Sequence, residues 1–341
     1  MRDTTPAFRE AAANPMDISA IIVNYNTRGM TLDCLRALET ALAGIPSEIL
    51  VVDNCSKDGS VEAIRAAFPR VRVFESKVNA GFGAANNIAM REAVGNYFLL
   101  LNSDAFPKPG AIQSLIDYLR ANPRAALAGP RLLNADGSLQ ASCFKFPTPL
   151  RAWLENLWIS AVFPRHPFIG DYRFWQHDSP RNVDFHIGAC MLMRREVFEQ
   201  TGGFDERFFL YSEETDWQRR IRDAGWEIAF TPAAEVTHLG GASGANDKKN
   251  VSRYFMESLD RYELKHHGPF GLVAFRGAMV VGCALRALLW GAMSLLPSRR
   301  SNALTKMARH LSLTWRQATD WSALRQAEKT PAPVANPAPA A

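Results

Sequence analysis

The feature that most limits the fold is the alternation of short apolar runs with helical patterns over the first 130 residues. The apolar runs predict β-strands at Ile18–Val23, Ile49–Val52, Val71–Phe74, Tyr97–Leu101 and Ala126–Ala128. The spacing of apolar side chains between them predicts helices at Thr31–Leu42, Ser60–Phe68, Ala84–Ala93 and Gly110–Ala121. Repeated strand–helix–strand units predict an α/β fold with a parallel sheet covered on both faces.

Polar side chains follow four of these strands. They are Asn24, Tyr25 and Asn26 after the first, Asp53 and Asn54 after the second, Asn79 after the third, and Asn102 and Asp104 after the fourth. Turn formation explains any one of these clusters. Sheets of this type bind ligands at the carboxyl ends of their strands, so four clusters at one edge favour a ligand site.

Two of the clusters suit a nucleotide. A carboxylate such as Asp53 at a strand's carboxyl end can accept hydrogen bonds from a base or from ribose hydroxyls. The stretch 79–87 lacks the third glycine of a dinucleotide loop and follows the third strand, so it is a weak dehydrogenase signal. Its small residues would instead let a helix pack close to a bound nucleotide.

Three acids follow an aromatic run: Glu213, Glu214 and Asp216. A helix N-terminus capped by Ser212 explains the first two, because acids are favoured in a first helical turn. It does not explain three acids in four residues. A carboxylate at the mouth of a partly apolar cleft has a raised pKa, which suits a general base.

His238 lies between a predicted strand and two glycines. A lone histidine is usually an ordinary hydrogen-bonded residue. Paired with Asp104, however, it offers one nitrogen and one oxygen ligand. Mg²⁺ or Mn²⁺ bound to a diphosphate needs few protein ligands, because phosphate oxygens and water complete the octahedron. With Asn102 in place of a second acid, we expect a low-charge site that binds metal weakly until the substrate arrives.

The remaining sequence bears on location. The five cysteines are widely spaced and fit a reducing cytosol, and residues 1–16, expected to be flexible, lack the apolar core of a signal peptide. From Asn246 onward 14 Lys and Arg residues face 6 Asp and Glu residues. A basic segment beside apolar helices suits an anionic membrane surface at least as readily as nucleic acid.

Three further segments after residue 146 have distinct predicted characters. An aromatic-rich, irregular stretch at 147–182 resembles a binding loop or lid. Residues 246–326 form a helical, basic extension, and 327–341 form a disordered Pro/Ala tail. Within the extension, 269–297 is apolar, but Arg276 and Arg286 make its uncharged runs too short to span a bilayer. This segment either lies along a membrane, with its arginines reaching the headgroups, or forms a buried pair of helices.

Taken together, the motifs resemble family 2 inverting glycosyltransferases with a GT-A fold, in the branch of bacterial rhamnosyltransferases. The matching pieces, in family order, are IIVNYN, VVDNCSKDGS, NAGFGAANN, LLLNSDA, IGACMLMRREVFEQTGGFDERFFLYSEETDWQRRIRDAGW and HLGG. They run from about residue 18 to residue 241, so we expect a glycosyltransferase domain at 17–245. The resemblance implies a nucleoside-diphosphate-sugar transferase with a Rossmann-like sheet.

The resemblance also assigns roles. It implies that Glu214 is the catalytic base, with Glu213 and Asp216 as alternatives, and that Asp104 and His238 hold Mg²⁺ or Mn²⁺. The residues implied to bind the nucleotide sugar are Asn24, Tyr25, Asn26, Asp53, Asn54, Asn79, Gly81, Phe82, Asn87 and Asn102. The residues implied to shape the sugar and acceptor pocket are Gly188, Ala189, Cys190 and Trp217.

The branch suggests a dTDP-rhamnose donor and a lipid-diphosphate-linked or glycan acceptor, used by an enzyme peripheral to the inner face of the cell membrane. Two other functions stay open. A sugar-1-phosphate nucleotidyltransferase can share a similar sheet, but it needs a glycine- and basic-rich loop after the first strand, where this chain has Asn24–Arg28. A non-catalytic membrane scaffold would lack acids at the base and metal positions, and both positions are filled.

Overall fold

The structure is a computed structural model that describes residues 16–166, 169–170, 175–241 and 248–321. The chain forms two compact units, which are described separately. The first comprises Met1–Cys143, His177–Phe209 and Glu213–Lys248, and the second comprises Phe144–Gln176, Leu210–Ser212 and Lys249–Ala341. The predicted flexible residues 1–15 and the predicted tail 327–341 lie outside the described residues.

The first unit is built on one mixed sheet with strand order β3-β2-β1-β4-β11-β6-β12-β5, to which β7 adds on β6 and β9 on β12. The strands of the chain are β1 (Ile18–Asn24), β2 (Ser47–Asp53), β3 (Arg72–Glu75), β4 (Tyr97–Asn102), β5 (Ala105–Pro107), β6 (Ala125–Leu133), β7 (Leu139–Gln140), β8 (Cys143–Phe144), β9 (Arg181–Asn182), β10 (Phe185–His186), β11 (Cys190–Arg194) and β12 (Glu227–His238). All five strands predicted before residue 130 are present; four are longer than predicted, and β3 has the predicted length but is shifted by one residue.

The sequence predicted a parallel sheet, but the observed sheet is mixed. Strands β1 to β4 pair in parallel with one another, but β11 runs antiparallel to both β4 and β6, and β5 runs antiparallel to β12. A turn at Gly188 and Ala189 separates β10 from β11. The β11 insertion brings that turn to the carboxyl end of β4, where the polar clusters lie.

Helices cover the sheet of the first unit. They are α1 (Arg28–Ala41), α2 (Ser60–Ala67), α3 (Phe82–Glu92), α4 (Ala111–Ala121), α7 (Arg195–Thr201) and α8 (Glu213–Asp223). Each predicted helix is found within three residues of its predicted start. The largest core cluster includes Leu35, Leu38, Leu99 and Ile112, all fully buried, so α1 and α4 pack on the central strands. This burial holds the strand ends in fixed positions.

The second unit is helical: α5 (Pro149–Asn156), α6 (Ile159–Val162), α9 (Lys248–Met293) and α10 (Arg300–Thr319), with a short 3₁₀ turn at Pro297–Arg299 between the last two. The helical C-terminal extension was predicted, but the irregular character of 147–182 was wrong in part. Thr148 accepts a hydrogen bond from the backbone N–H of Arg151, and Pro149 occupies the first turn, so α5 has a well-formed N-terminus.

Helix α9 bends sharply at Gly268, whose φ of 69° lies in the left-handed region and precedes Pro269. Arg276, after the bend, forms a 2.5 Å ion pair with Asp260, before it, and both side chains are buried. Sixteen residues of straight helix would span about 24 Å. The two halves of α9 therefore fold back on each other, and Leu272 and Phe275 pack in the small core between them.

Segment 269–297 matches neither prediction completely: it forms the second half of α9, packed on the first half, and it also exposes Phe270, Leu288 and Leu289. Its two arginines are engaged within the second unit. Arg276 is buried, and the Arg286 side chain bonds Asn156 and stacks 4.9 Å from the Trp158 ring. Residues 251–293 are long and apolar enough to cross a membrane, judged by length and composition alone. Core helices of soluble proteins can meet the same criterion.

Candidate active site

Asp104 and His238 meet at the carboxyl edge of the sheet. Strand β12 ends at His238, directly opposite Ala105 of β5, and the Leu239 N–H donates to the Asp104 carbonyl at 3.0 Å. This antiparallel register sets Nε2 of His238 3.3 Å from Oδ1 of Asp104. Both side chains are buried; Asp104 lies in the two-residue turn between β4 and β5, and His238 is the last residue of β12.

Asn102 completes this cluster. Its amide nitrogen lies 3.5 Å from Nε2 of His238, and its Oδ1 is buried with no hydrogen-bond partner among the residues that the structure describes. A buried oxygen without a partner is costly in a folded protein. In the described part of the chain no group of three or more His, Cys, Asp or Glu side chains could hold a metal ion. The donor set is instead one carboxylate, one imidazole and one amide, which suits Mg²⁺ or Mn²⁺ when substrate oxygens complete the shell.

The first turn of α8 holds two carboxyl groups with unusual environments. Burial raises the pKa of Glu213 well above its ordinary value, the neighbouring Glu214 charge raises it further, and its Oε2 has no partner among the described residues. Burial also raises the pKa of Glu214 to about 7. Glu213 is 3% exposed, whereas Glu214 keeps part of its surface open. Glu214 is therefore the acid that combines access with a pKa suited to proton transfer.

The turn at Gly188 joins the two acid clusters. The Asn102 N–H donates to the Ala189 carbonyl at 2.9 Å, which fixes the turn to the end of β4. A Cβ atom at Gly188 would lie 3.5 Å from the Phe82 ring and 3.7 Å from Cβ of Glu214. Glu214 and Phe82 thus lie beside the Gly188 turn, and Ala189 of the same turn is bonded to Asn102 of the metal-ligand cluster.

Gln218 is a residue that the sequence analysis missed. Its amide nitrogen donates to the carbonyls of His186 and Glu214 at 2.8 and 3.1 Å, and its oxygen accepts the His186 N–H at 2.8 Å. The side chain thereby ties the first turn of α8 to the strand before Gly188. The only signal in the sequence was the i, i+4 spacing from Glu214, which is too common to identify such a role.

Asn24 and Asp53 lie side by side at the ends of β1 and β2. The Asn24 amide donates to Asp53 at 2.7 Å and to Ser56 at 3.0 Å, and the Ser56 N–H donates to the other Asp53 oxygen at 2.9 Å. Tyr25 and Asn26 follow in a partly exposed loop, and Asn26 accepts the Lys57 N–H at 2.7 Å. The predicted nucleoside residues are brought together, with Asp53 held in one orientation.

The loop before α3 is fixed by asparagines. The Asn54 amide donates to Asn79 at 2.8 Å and to the Gly81 carbonyl at 3.2 Å. Gly81 has a φ of 89°, and any side chain there would collide with the Phe209 backbone. Phe82 then projects into the region near Glu214. The Asn87 side chain points elsewhere: its amide nitrogen donates to the Phe204 carbonyl and to Glu206, and its oxygen accepts the Phe204 N–H. Asn87 therefore holds the segment that precedes α8.

Two of the predicted site residues, both on α8, have side chains buried in the core. Trp217 is 1% exposed, donates to Thr201 at 3.0 Å and packs against Phe198 and Phe204. Asp216 is fully buried and forms an ion pair with Arg220. Ala189 and Cys190 of the predicted acceptor pocket are also buried, whereas Gly188 is partly exposed.

The comparisons with known proteins point in the same direction. The model of the family described as "Glycosyl transferase family 2" matches residues 19–202. The N-acetylglucosaminyl-diphospho-decaprenol L-rhamnosyltransferase of Mycobacterium tuberculosis is 31% identical over 306 residues, which cover 86% of this chain and 99% of that protein. The rhamnosyltransferase WbbL of Escherichia coli K12 is 27% identical over 53% of this chain and 69% of that protein.

Solved structures extend the likeness to the fold. A Pyrobaculum calidifontis mannosyltransferase, in complex with GDP-Man and Mn²⁺, superposes with a TM-score of 0.53 at 17% identity and covers 92% of this chain and 90% of that one. GalNAc-T7, with UDP, GalNAc and Mn²⁺, gives a TM-score of 0.52 at 17% identity over 74% of this chain and 48% of that one. These likenesses confirm the predicted GT-A architecture.

Proposed function

The chain belongs to glycosyl transferase family 2, and from this premise we propose that it transfers rhamnose from a nucleoside-diphosphate sugar to a hydroxyl of a lipid-linked or polysaccharide acceptor in cell-surface glycan synthesis. The similarity to a decaprenyl-diphosphate-dependent rhamnosyltransferase over nearly that enzyme's whole length supports dTDP-rhamnose as the donor and a lipid-diphosphate-linked sugar as the acceptor.

The observation that carries the proposed chemistry is the position of Glu214. The residue is partly exposed, burial raises the pKa of its carboxyl group to about 7, and it lies beside the Gly188 turn and Phe82. In an inverting transfer an acceptor oxygen bonds to the anomeric carbon as the bond to the diphosphate oxygen breaks, through an oxocarbenium-like transition state. Glu214 takes the proton from the attacking hydroxyl, so the acceptor oxygen ends neutral in the new glycosidic bond.

We place the divalent cation at Asp104 and His238, whose Oδ1 and Nε2 atoms lie 3.3 Å apart, with the unpartnered Oδ1 of neighbouring Asn102 among the described residues as a third candidate ligand. Bound Mg²⁺ or Mn²⁺ supplies positive charge that offsets the negative charge developing on the leaving diphosphate. Asp53, oriented by Asn24 and Ser56, is proposed to accept hydrogen bonds from the nucleoside. Trp217 and Asp216 act from the core, by supporting the helix that carries Glu214.

A membrane surface is the proposed location. The second unit exposes large apolar side chains on the second half of α9, the turn after it, and α10: Phe270, Leu288, Leu289, Leu295, Leu296 and Trp315. Basic residues lie in the same stretch of chain: Arg299, Arg300, Lys306 and Arg309. The two helices are in contact, because a Cβ atom at Gly291 would lie 3.4 Å from the Met307 sulfur. Apolar side chains beside cations suit an anionic bilayer surface such as an inner membrane leaflet.

The test is nucleotide release by the full-length protein from a panel of dTDP-rhamnose, UDP-glucose and GDP-mannose, each with and without polyprenyl-diphosphate N-acetylglucosamine. We expect acceptor-dependent release of dTDP from dTDP-rhamnose, with inversion at the anomeric carbon seen by NMR. Retention of the anomeric configuration would contradict the role of Glu214. Formation of a nucleoside triphosphate and sugar-1-phosphate in added diphosphate would instead identify a nucleotidyltransferase.

A further inference from the structure

A glutamine on a short hairpin strand contacts the side of His238 that faces away from Asp104. Gln140 lies on β7, which pairs with β6 at Leu132. Its Oε1 atom is 2.6 Å from Nδ1 of His238. The sequence motifs gave no reason to single out Gln140, because it lies in an unremarked stretch far from both HLGG and LLLNSDA.

The orientation of the Gln140 amide is determined by its neighbours. Its nitrogen lies 3.1 Å from the His238 carbonyl and 2.9 Å from Oδ1 of Asn134, and both of these atoms can only accept. Asn134 is itself oriented, because its amide nitrogen donates to the Leu139 carbonyl at 3.3 Å. The Gln140 nitrogen must therefore face these acceptors, and its oxygen must face the imidazole.

The same network determines which ring nitrogen of His238 carries a proton. Because an amide oxygen only accepts, the short contact requires a proton on Nδ1. In the neutral ring, the Nε2 lone pair then faces Oδ1 of Asp104 at 3.3 Å and the Asn102 amide nitrogen at 3.5 Å, the upper limit for a hydrogen bond. Two lone-pair atoms as close as Nε2 and Oδ1 are stabilised when a cation binds both. A histidine ligand whose other nitrogen is held by an acceptor is the usual arrangement around a protein-bound metal.

We propose that Gln140 is a positioning residue of the cation site: by accepting from Nδ1 and binding the His238 backbone, it holds the ring with its Nε2 lone pair directed at the metal. The inference rests on the proposed metal role of Asp104 and His238. It adds a chain of hydrogen bonds from the 134–138 turn through Gln140 to the ligand. Because the amide is neutral, it orients His238 without adding negative charge, which keeps the site low in charge.

The experiment compares Gln140→Leu, which removes the acceptor, with Gln140→Glu, which keeps an acceptor for Nδ1. Mn²⁺ affinity of the full chain is measured by electron paramagnetic resonance with dTDP present. We expect Gln140→Leu to bind Mn²⁺ about 10- to 100-fold more weakly, and Gln140→Glu to bind at least as tightly as the native protein. Gln113→Leu, at an α4 glutamine that bonds only Asp117 among described residues, controls for the loss of an amide.

A second readout reports on the ring itself. In ¹⁵N-histidine spectra of the metal-free protein, with His238 assigned by its loss in His238→Asn, we expect a proton on Nδ1 and a bare Nε2. Gln140→Leu should lose this preference, and Gln140→Glu should keep it. A proton on Nε2 in the native protein would overturn the inference, since that ring would donate to Asp104 instead of binding a metal.

The outcomes distinguish the role of Gln140 from the proposed metal site at Asp104 and His238. If Asp104→Ala loses Mn²⁺ while Gln140→Leu binds it within twofold of the native affinity, the metal site stands and the role of Gln140 is refuted. If Asp104→Ala binds Mn²⁺ as tightly as the native protein, the metal site is not at Asp104, and both proposals fail. Equal loss in Gln140→Leu and Gln140→Glu would indicate a general packing defect and also refute the positioning role.

Discussion

Asp216 and Arg220, one turn apart on α8, form an ion pair with 3.0 Å between Nε and Oδ2, and the carboxylate is completely buried. The same guanidinium donates to the carbonyls of Thr201 and Gly203, so it ties α8 to the segment before it. A carboxylate held by a guanidinium is a poor proton acceptor, because protonation would break the pair. This contact removes one of three candidate bases and leaves Glu213 and Glu214.

Glu214→Gln is expected to lower the turnover number by about 100- to 10,000-fold, the usual contribution of a general base. Binding of the donor should remain within a few-fold of native, since the amide preserves the shape of the side chain. Steady-state kinetics for turnover and calorimetry for donor binding measure the two quantities. Normal turnover in this variant would move the base to Glu213.

Glu213→Gln is the matched control on the same helical turn. Burial raises the pKa of Glu213 well above its ordinary value and thus favours its uncharged form, which the amide mimics, so this variant should change turnover little. A loss as large as that of Glu214→Gln would show that the two carboxyl groups act as one unit.

The rate should depend on the ionisation of Glu214. Burial raises the pKa of this carboxyl to about 7, so below pH 7 the group is protonated and cannot accept the acceptor's proton. The turnover number is expected to rise about tenfold per pH unit up to pH 7 and to level off above it. The remaining activity of Glu214→Gln should lose this rise. A profile in the native enzyme that is flat between pH 5 and 8 would contradict the assignment.

Asp104→Ala should abolish both activity and its dependence on added Mn²⁺ or Mg²⁺, because the carboxylate is the charged member of the proposed cation site. Asp53→Asn provides the contrast: it should raise the KM for the donor while the metal dependence stays as in the native enzyme. Both are measured by initial rates over a metal titration. Activity of the native enzyme in excess chelator would refute the metal assignment.

The strands and helices near the site were predictable because their signals are local. Apolar runs and helical spacing located β1 to β4 and α1 to α4 within a few residues. The antiparallel insertion of β11 was not predictable, because its sequence, CMLMR, carries no information on which strand it will pair with. The bend at Gly268 was missed for a related reason: a glycine followed by proline permits a reversal, but only the Asp260–Arg276 contact makes it sharp.

The residue types of the candidate site were predictable from the sequence, but their contacts were not. Asp104 and His238 were proposed as a pair, yet their contact depends on the register of β12 against β5, which no motif encodes. The three acids 213, 214 and 216 look alike in the sequence. Their environments differ because of the tertiary packing of α8. Glu213 is buried with an unpartnered oxygen among the described residues, Glu214 is partly exposed, and Asp216 is paired with Arg220. Gln140 and Gln218 were missed because single glutamines carry no local signal.

Arg276→Leu is expected to destabilise the protein by about 3–5 kcal/mol, because it leaves the buried Asp260 carboxylate without its partner. The double variant Arg276→Leu/Asp260→Leu should recover much of this loss, since two apolar side chains replace the pair. Thermal and urea unfolding measure both. Arg65→Leu, which breaks an exposed pair with Glu75, is the control and should change the free energy of unfolding by about 1 kcal/mol or less. A small effect of Arg276→Leu would mean that α9 is not held folded back by this contact.

Membrane binding should depend on the exposed apolar side chains after the bend in α9. Leu288→Glu/Leu289→Glu replaces two exposed leucines with acids, which are repelled by anionic headgroups and resist burial in acyl chains. We expect the native chain to sediment with phosphatidylglycerol vesicles more than with phosphatidylcholine vesicles, and the double variant to lose that preference. Val78→Glu/Val94→Glu, at two exposed valines of the first unit, adds the same charge and should leave binding unchanged. Equal loss in both double variants would assign the effect to net charge alone, and unchanged binding in the leucine variant would place the membrane contact elsewhere.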